Sequence, residues 1–244
     1  MENTVEYAPL DSLGRQEYVR MPTAFHPPFI LPNGGVPHPR TLFPLTVGLN
    51  AIPSVLRFIN YTNPTELLIY TDGSCLGNGG QNPKAGCAFV FKDTEQGPND
   101  ALSFGYVRFR LEEEGPTGEK NRQTSNRAEL RAVIAALQFR EWEREGFSSV
   151  VIATDSSHVA VGMTSWIQTW LIGGWKTSNG RPVINQDLWM CLISEVKRCE
   201  DAGLHVKFWQ IPRDWNDEAD YHARHVAATQ GAPAHFTRIV GSLC

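Results

Sequence analysis

Four acidic residues stand out because each lies at a predicted strand end or early in a predicted helix. Asp72 follows the apolar run 67–70, and Asp155 follows the apolar run 150–153. Glu129 lies in the first turn of a long predicted helix, and Asp220 lies early in the last predicted helix. Ligand sites of open α/β sheets lie outside the carboxyl ends of the strands, so we expect these side chains to meet at one rim.

Carboxylates gathered at one rim repel one another, so each tends to keep its proton unless a cation is bound between them. Ligand sets made only of oxygen select hard ions such as Mg²⁺ or Mn²⁺ over zinc. Two such ions, roughly 4 Å apart, can activate a water molecule and stabilise the leaving oxygen of a phosphodiester. The predicted chemistry is metal-dependent cleavage of a nucleic acid, with no obvious basic partner for the four acids.

Each acidic residue also has a purely structural interpretation. Asp72 could open a hairpin turn, Glu129 fits the spacing of a capping box, and Asp155 could cap a helix. Asp220 could lie on a solvated helix face. These explanations are unrelated to one another, whereas a single metal site accounts for all four residues, so the shared site is the preferred interpretation.

Apolar runs and turn residues place the four acids in a mixed α/β domain. The predicted order is three strands, a helix, a strand, short helices, a strand and a final helix. Strands are predicted at 67–70, 85–91, 101–109, 150–153 and 205–211, and the main helices at 126–145, 187–199 and 216–228. This order is typical of one five-stranded mixed sheet flanked by helices, and the continuous apolar runs of the first and fourth strands indicate central positions.

Composition divides the chain into three parts. Residues 1–65 are predicted to be an irregular arm, because the stretch FHPPFILPNGGVPHPRTLFP is rich in proline and glycine. Within the arm, residues 41–60 are more apolar and are expected to lie against the following domain. That domain spans residues 66–230, and residues 231–244 form a C-terminal tail.

The overall composition of the 244 residues excludes some classes of protein. No apolar stretch approaches the roughly 18 residues of a membrane helix, and the first twenty-five residues lack the pattern of a secretory signal. Five cysteines without a C-x-x-C pair indicate reduced thiols inside a cell. A net charge of −4 means that any nucleic-acid contact is local. Nothing in the sequence requires more than a monomer.

Four motifs then occur in the order and context of type 1 ribonuclease H: TDGSCLGNGG, SNRAEL, TDSS and NDEAD. The chain resembles this family from about Leu67 to Ala228, and WLIGGWKTSNGRPVINQDLW is similar to the substrate-holding helix and loop of eukaryotic members. The resemblance implies a ribonuclease-H-like fold and an endonuclease that cuts the RNA strand of RNA–DNA hybrids. It also implies two Mg²⁺ ions, for which Mn²⁺ can substitute, and products with 5′-phosphate and 3′-hydroxyl ends.

The resemblance also implies roles for individual residues. The four metal-binding and catalytic carboxylates are Asp72, Glu129, Asp155 and Asp220, with Asp72 bridging both ions. Asn78 and the backbone near Gly73 match positions that touch RNA 2′-hydroxyls, the groups that distinguish RNA from DNA. The other matched nucleic-acid contacts are Ser125, Asn126 and Arg127 before the glutamate, and Trp175, Lys176, Thr177 and Asn185 on the surface that holds DNA phosphates.

Three features depart from the family pattern. Ser125 stands where the family more often has Asn or Gln, and the loop with Lys176 carries little positive charge, which predicts weaker binding and a shallower salt dependence. The loop Ile211–Asn216 is short and lacks the Gly-His of type 1 enzymes. This predicts a reduced rate and a preference for Mn²⁺, with His222 and His225 facing solvent rather than replacing the missing histidine.

Two alternatives stay open at this point. A non-catalytic nucleic-acid-binding module would explain the missing histidine and the thin basic surface, but it gains nothing from four intact carboxylates near phosphates. Another nuclease of the same fold, such as a retroelement-derived ribonuclease H or an exonuclease, is disfavoured by the SNRAEL and WKTSNGRPVIN motifs. No match to the hybrid-binding module of eukaryotic members is found in residues 1–65.

Overall fold

The computed structural model of the protein describes residues 4–7, 17–48, 51, 54–96, 102–229 and 231–241. Its strands are β1 (Thr4–Tyr7), β2 (Glu17–Arg20), β3 (Thr23–Ala24), β4 (Leu45–Gly48), β5 (Val55–Asn60), β6 (Asn63–Leu76), β7 (Lys84–Val90), β8 (Glu95–Gln96), β9 (Leu102–Ser103), β10 (Tyr106–Arg110), β11 (Ser149–Thr154) and β12 (His205–Gln210). Its helices are α1 (Pro39–Leu42), α2 (Ser125–Phe139), α3 (Ser157–Val161), α4 (Ile167–Ile172), α5 (Gln186–Asp201) and α6 (Asp217–Ala227), with a π-helical turn at Gly162–Trp166 and 3₁₀ turns at Trp142–Glu145 and Arg213–Trp215.

The main sheet has the order β10-β7-β6-β11-β12-β3. Strand β11 runs parallel to both β6 and β12, whereas β7 and β10 join antiparallel. The two strands with continuous apolar runs, β6 and β11, therefore lie side by side in the middle of the sheet. The predicted mixed α/β architecture is confirmed.

Within the described residues, however, the sheet has eight strands, so the predicted number of five is too low: the five predicted strands are present as β6, β7, β10, β11 and β12, and three more are added. The extra strands β3, β4 and β5 all come from residues 1–65, so the described part of the arm is not irregular throughout. Proline is tolerated at strand ends and sheet edges, and Pro22 and Pro44 each lie just outside a strand rather than within it. The expectation that residues 41–60 lie against the domain is confirmed, because β5 pairs with β6.

Apolar side chains form a core on each face of the sheet. On one face, α2 packs against β6 and β7, and α5 packs against α2 and β12. The apolar residues of α2 that recur at helical spacing are fully buried: Leu130, Val133, Ile134 and Leu137. Burial of each such side chain contributes about 1.5–3 kcal/mol to stability. On the other face, part of the arm and α6 cover a second core, so both faces of the two central strands are shielded from water.

The C-terminal tail also packs against the domain as far as it is described. Phe236 and Ile239 contact the first core, and the buried guanidinium of Arg131 lies between the rings of Phe109 and Phe236. The division into residues 1–65, 66–230 and 231–244 remains a proposal, and residues 242–244 lie outside the described part of the chain.

Two predictions from composition can be compared with the structure. The four cysteines in the described part of the chain, Cys75, Cys87, Cys191 and Cys199, are free thiols, while Cys244 lies outside it. Within the same described residues, every helix is too short or too polar to cross a membrane.

Candidate active site

The strand register brings the first two aspartates to the same level of the sheet. Tyr70 of β6 pairs with Ala153 of β11 in a parallel ladder. Asp72 and Asp155 each lie two residues beyond this pair, Asp72 within the long strand β6 and Asp155 just after the end of β11. Because the strands are adjacent and parallel, the two carboxylates lie at one rim, as predicted from the sequence.

The structural interpretations of the four acids are not realised. Asp72 is paired with Ala88 in a regular ladder rather than placed in a turn. The side chain that caps α2 is Thr124, which is too early for Glu129 to complete a capping box, and α3 is capped by Ser156 rather than by Asp155. The fourth acid is not a solvated helix residue either, because the side chain of Asp220 is only 19% exposed.

The carboxylates also influence one another electrostatically. Burial, together with the smaller effects of the neighbouring charges of Asp155, Asp220 and Glu129, raises the pKa of Asp72 to about 7, while a hydrogen bond from the backbone of Gly73 opposes the change. Burial likewise raises the pKa of Glu129, and Asp155 adds to this effect, whereas the hydrogen bond from Ser156 opposes it. The ionised forms of Asp72 and Glu129 are therefore disfavoured by burial and by nearby negative charge.

Two neutral side chains orient the carboxylates. The hydroxyl of Ser156 donates a hydrogen bond of 2.6 Å to Oε2 of Glu129. The buried amide of Asn216 donates to the carbonyl oxygen of Thr71 at 3.0 Å and to Oδ1 of Asp155 at 2.8 Å. The sequence argument did not single out either residue, although both lie within its motifs: Ser156 follows Asp155 in TDSS, and Asn216 lies four residues before Asp220 in NDEAD.

Two arginines also contact the acids, which corrects the expectation that the site has no basic partner. Nη2 of Arg213 lies 2.6 Å from Oδ1 of Asp220, and Nη1 lies 3.8 Å from Oδ2 of Asp155. Nε of Arg224 lies 2.9 Å from the other oxygen of Asp220. Both arginines are more than half exposed. The short loop that lacks histidine thus places a guanidinium among the carboxylates.

The donor set fits a hard divalent cation, although the side chains are not gathered around one. Within the described residues, no three acidic, histidine or cysteine side chains form a group that could hold a metal ion as they stand. Asp220 is turned toward the arginines and Glu129 toward Ser156. Ion binding would require Asp220 to exchange Arg213 for the metal. All four donors are carboxylate oxygens in a mostly buried setting, which suits Mg²⁺ or Mn²⁺.

The backbone near Gly73 makes a close contact with the helix that carries Glu129. A Cβ atom at Gly73 would lie 2.0 Å from the backbone nitrogen of Glu129 and 2.2 Å from the carbonyl carbon of Ala128. Nearby, the exposed amide of Asn78 donates a 3.2 Å hydrogen bond to the hydroxyl of Ser125. The structure therefore brings Gly73, Asn78 and Ser125, all predicted RNA contacts or their neighbours, to the edge of the acidic rim.

Arg127 does not present its guanidinium to solvent, which contradicts the simplest form of its predicted backbone contact. The residue is buried, and its guanidinium forms two hydrogen bonds with the carboxylate of Asp187, at 2.7 and 2.8 Å. It also lies 3.3 Å from Oδ1 of Asn185. Arg127 therefore links α2 to the start of α5, while its neighbour Asn126 remains exposed.

The remaining predicted contacts lie together on the loop that precedes α5. Trp175 and Asn185 both have left-handed backbone conformations, with φ of 60° and 61°, a conformation that is uncommon outside glycine and is often found at functional sites. Trp175 packs partly against the first core, whereas Lys176 is exposed and Thr177 is half-buried. Lys176 pairs with Pro182 across this loop.

One histidine departs from the expectation drawn from the sequence. His222 is buried and stacks on the ring of Tyr106 at a centroid distance of 3.5 Å, so it does not face solvent. His225 is exposed, as predicted. Burial, followed by the charges of Arg108 and His225, lowers the pKa of His222 to about 4, so it is a neutral packing residue at physiological pH.

The mixed sheet and its acidic rim define a ribonuclease-H-like α/β nuclease. The chain belongs to the ribonuclease H family, whose sequence profile matches residues 64–228. It is 42% identical over 168 residues to a ribonuclease H of Pectobacterium carotovorum, a match that covers 69% of this chain and 92% of the relative. A ribonuclease H of Treponema pallidum is 41% identical over 133 residues, with 52% of this chain and 70% of the relative covered. Human ribonuclease H1 is 32% identical over 165 residues, with 66% and 50% covered. The protein is thus a type 1 ribonuclease H.

Proposed function

We propose that this enzyme cuts the RNA strand of RNA–DNA hybrids internally, as a monomer, with two Mg²⁺ ions or with Mn²⁺ in their place. The products carry 5′-phosphate and 3′-hydroxyl ends. The observation that carries the proposal is the set of four carboxylates from β6, α2, the end of β11 and α6, where burial and then the charges of the neighbouring acids raise the pKa of Asp72. A protein that only binds nucleic acid has no use for such a cluster beside phosphates.

The four carboxylates Asp72, Glu129, Asp155 and Asp220 would hold the ions, which supply an activated water and stabilise the leaving oxygen. Other residues of the chain position these carboxylates and recognise the substrate. Asn216 keeps Asp155 fixed to the backbone of β6, and Ser156 directs Glu129. Asn78 and the backbone at Gly73 are placed to recognise 2′-hydroxyls, which would confine cleavage to the RNA strand.

Substrate and metal specificity can be tested in one assay with labelled RNA–DNA hybrid, duplex RNA and single strands, each with Mg²⁺, Mn²⁺ or EDTA. We expect internal, metal-dependent cleavage of the RNA in the hybrid alone. Binding without cleavage under every metal would favour a non-catalytic module. Attack from strand ends, or on DNA, would favour a different nuclease of this fold.

The position of Arg213 gives a further prediction about metal binding. Because its guanidinium contacts Asp220 and Asp155, it competes with a cation for the same oxygens. An exposed ion pair is worth at most about 1 kcal/mol, so Arg213→Ala should tighten Mn²⁺ binding by about fivefold, measured by calorimetric titration. Arg213→Lys should change the affinity little, and Arg144→Ala, which removes an exposed pair with Glu141, serves as the control.

If Arg213→Ala leaves the Mn²⁺ affinity unchanged or weakens it, the guanidinium is not a competitor for these oxygens. In that case, repulsion among the carboxylates, rather than competition from Arg213, would determine the Mn²⁺ affinity.

A further inference from the structure

A segment of the N-terminal arm around His38 and Arg40 contacts the loop 211–216, here called the active-site loop, and the start of α6. The ring of His38 lies 5.0 Å from that of Trp215, centroid to centroid. Nη2 of Arg40 lies 2.8 Å from Oε2 of Glu218, in the first turn of α6. The other terminal nitrogen of Arg40 is paired with Asp93, which follows β7. This segment lies outside residues 64–228, the part of the chain that the family profile matches.

The guanidinium of Arg40 is held in place by more than these two carboxylates. It lies over the ring of Phe58, 4.7 Å from the centroid, and near the ring of Tyr70, at 5.8 Å. Both rings belong to strands of the main sheet, so Arg40 joins the sheet to α6. Cation–π contacts of this kind add to the ion pairs and fix the direction of the side chain.

Apolar side chains of the arm also pack against the active-site loop and the start of α6. Leu42 and Phe43 are fully buried, and they belong to one cluster with Trp209, Ile211 and Ala219. Ile211 begins the active-site loop, and Ala219 precedes Asp220 on α6. The inner side of the loop and of the start of α6 is therefore packed against the arm and shielded from water.

The supported residues are the neighbours of groups that act on the carboxylates. Trp215 is followed by Asn216, which binds Asp155. Glu218 lies two residues before Asp220. A shift of the loop or of the first turn of α6 would therefore move Asp155 and Asp220 relative to Asp72, which lies on the central strand β6.

We propose that Arg40 is a positioning residue for Asp155 and Asp220, acting through Glu218 on the start of α6, whose N-cap residue is Asn216. The inference rests on the proposed function, and it makes part of the arm a component of the active-site framework. Residues that orient metal ligands typically contribute about 10–100-fold to metal affinity or activity. Arg40 acts one contact further away, so we expect an effect at the lower end of this range.

The test compares Arg40→Ala with Arg20→Ala in the full chain. Arg20 is also an arm residue with ion-pair partners, but these are Glu200 and His205, at the opposite end of β12 from the active-site loop. For Arg40→Ala we expect kcat on the hybrid to fall about tenfold, with KM little changed, and Mn²⁺ affinity measured without substrate to weaken several-fold. Arg20→Ala should leave all three quantities unchanged.

Two further variants separate positioning from simple destabilisation. Glu218→Gln should reproduce the Arg40→Ala result, and the double variant should be no worse than either single variant, because both remove the same contact. Arg40→Lys, which keeps the charge and can reach one carboxylate at a time, should restore most of the Mn²⁺ affinity.

Equal loss of thermal stability in the Arg40 and Arg20 variants without a change in kcat or Mn²⁺ affinity would overturn the inference. If the unmodified chain itself fails to cut the hybrid, the proposed function fails. The Mn²⁺ affinities of the same variants would then still decide whether Arg40 positions the carboxylates.

Discussion

Asp72→Asn is expected to abolish hybrid cleavage, lowering kcat by about 10³-fold or more, while the protein still folds and binds hybrid. Asp72 is the most buried of the four acids and lies on the central strand β6. The amide is nearly the same size as the carboxylate, so packing is retained. It cannot carry the negative charge with which Asp72 would hold the proposed metal ions, and transition-state charge stabilisation of the kind that such ions would supply is usually the largest catalytic contribution.

The same substitution should stabilise the metal-free protein. The folded-state pKa of Asp72 is raised to about 7 from 3.8, so its ionisation opposes folding. The penalty is absent below about pH 4, grows as pH rises through the interval between the two values, and is constant above about pH 7. It amounts to about 2–4 kcal/mol at neutral pH. We therefore expect the Tm of Asp72→Asn to exceed that of the unmodified protein by roughly 5–10 °C at pH 8 without metal.

Asp201→Asn is the matched control for this stability measurement. The carboxylate of Asp201 is mostly exposed and pairs with Lys197 at the end of α5, so its loss should change Tm little. Adding Mg²⁺ should narrow the difference between the unmodified protein and Asp72→Asn. Normal cleavage by the variant would show that Asp72 does not belong to the catalytic site, and an unchanged metal-free Tm would show that its ionisation does not oppose folding.

Gly73→Ala is expected to destabilise the protein and to lower kcat by about 10²-fold. The added methyl group would meet three backbone atoms of α2, the nearest at 2.0 Å. No side-chain rotation relieves this contact, so α2 must move away by roughly 1 Å and take Glu129 with it. Overpacking of this kind costs about 1–3 kcal/mol or more, and a misplacement of about 1 Å in an active site can cost 10²-fold in rate.

Gly48→Ala provides the control for this prediction. Gly48 also lies in a strand, but a Cβ atom there would have its nearest neighbour, the carbonyl oxygen of Val55, at 3.4 Å, an acceptable contact. Chemical denaturation and hybrid cleavage should both distinguish the two variants. Full activity of Gly73→Ala would mean that the close approach of β6 and α2 is not needed to position Glu129.

The four carboxylates could be identified from the sequence because each lies next to a local pattern that fixes its place in the fold. The apolar runs before Asp72 and Asp155 predict central strands, and parallel central strands have their carboxyl ends at one rim. The helical periodicity after Glu129 predicts the helix that packs on those strands. Local patterns were therefore sufficient to predict where Asp72, Glu129 and Asp155 lie in the fold.

Features that depend on contacts between distant segments could not be predicted in this way. Nothing local indicates that Arg213 contacts Asp220, or that Arg127 is buried against Asp187. The strands of the arm were missed for a similar reason, since β3 pairs with β12 across more than half of the chain. A proline-rich composition indicates that regular helices and strands are disfavoured locally. It does not reveal whether a short strand of the segment pairs with a distant strand.

The claim that one pocket gathers these acids around metal ions is tested most directly by counting bound Mn²⁺. Electron paramagnetic resonance can follow free Mn²⁺ during titration of the unmodified protein and of Asp72→Asn, each with and without a non-cleavable hybrid. We expect saturable binding that approaches two ions per chain when the hybrid is present, and its loss in the variant. Identical Mn²⁺ uptake by both proteins, or no saturable uptake by either, would contradict a shared metal site.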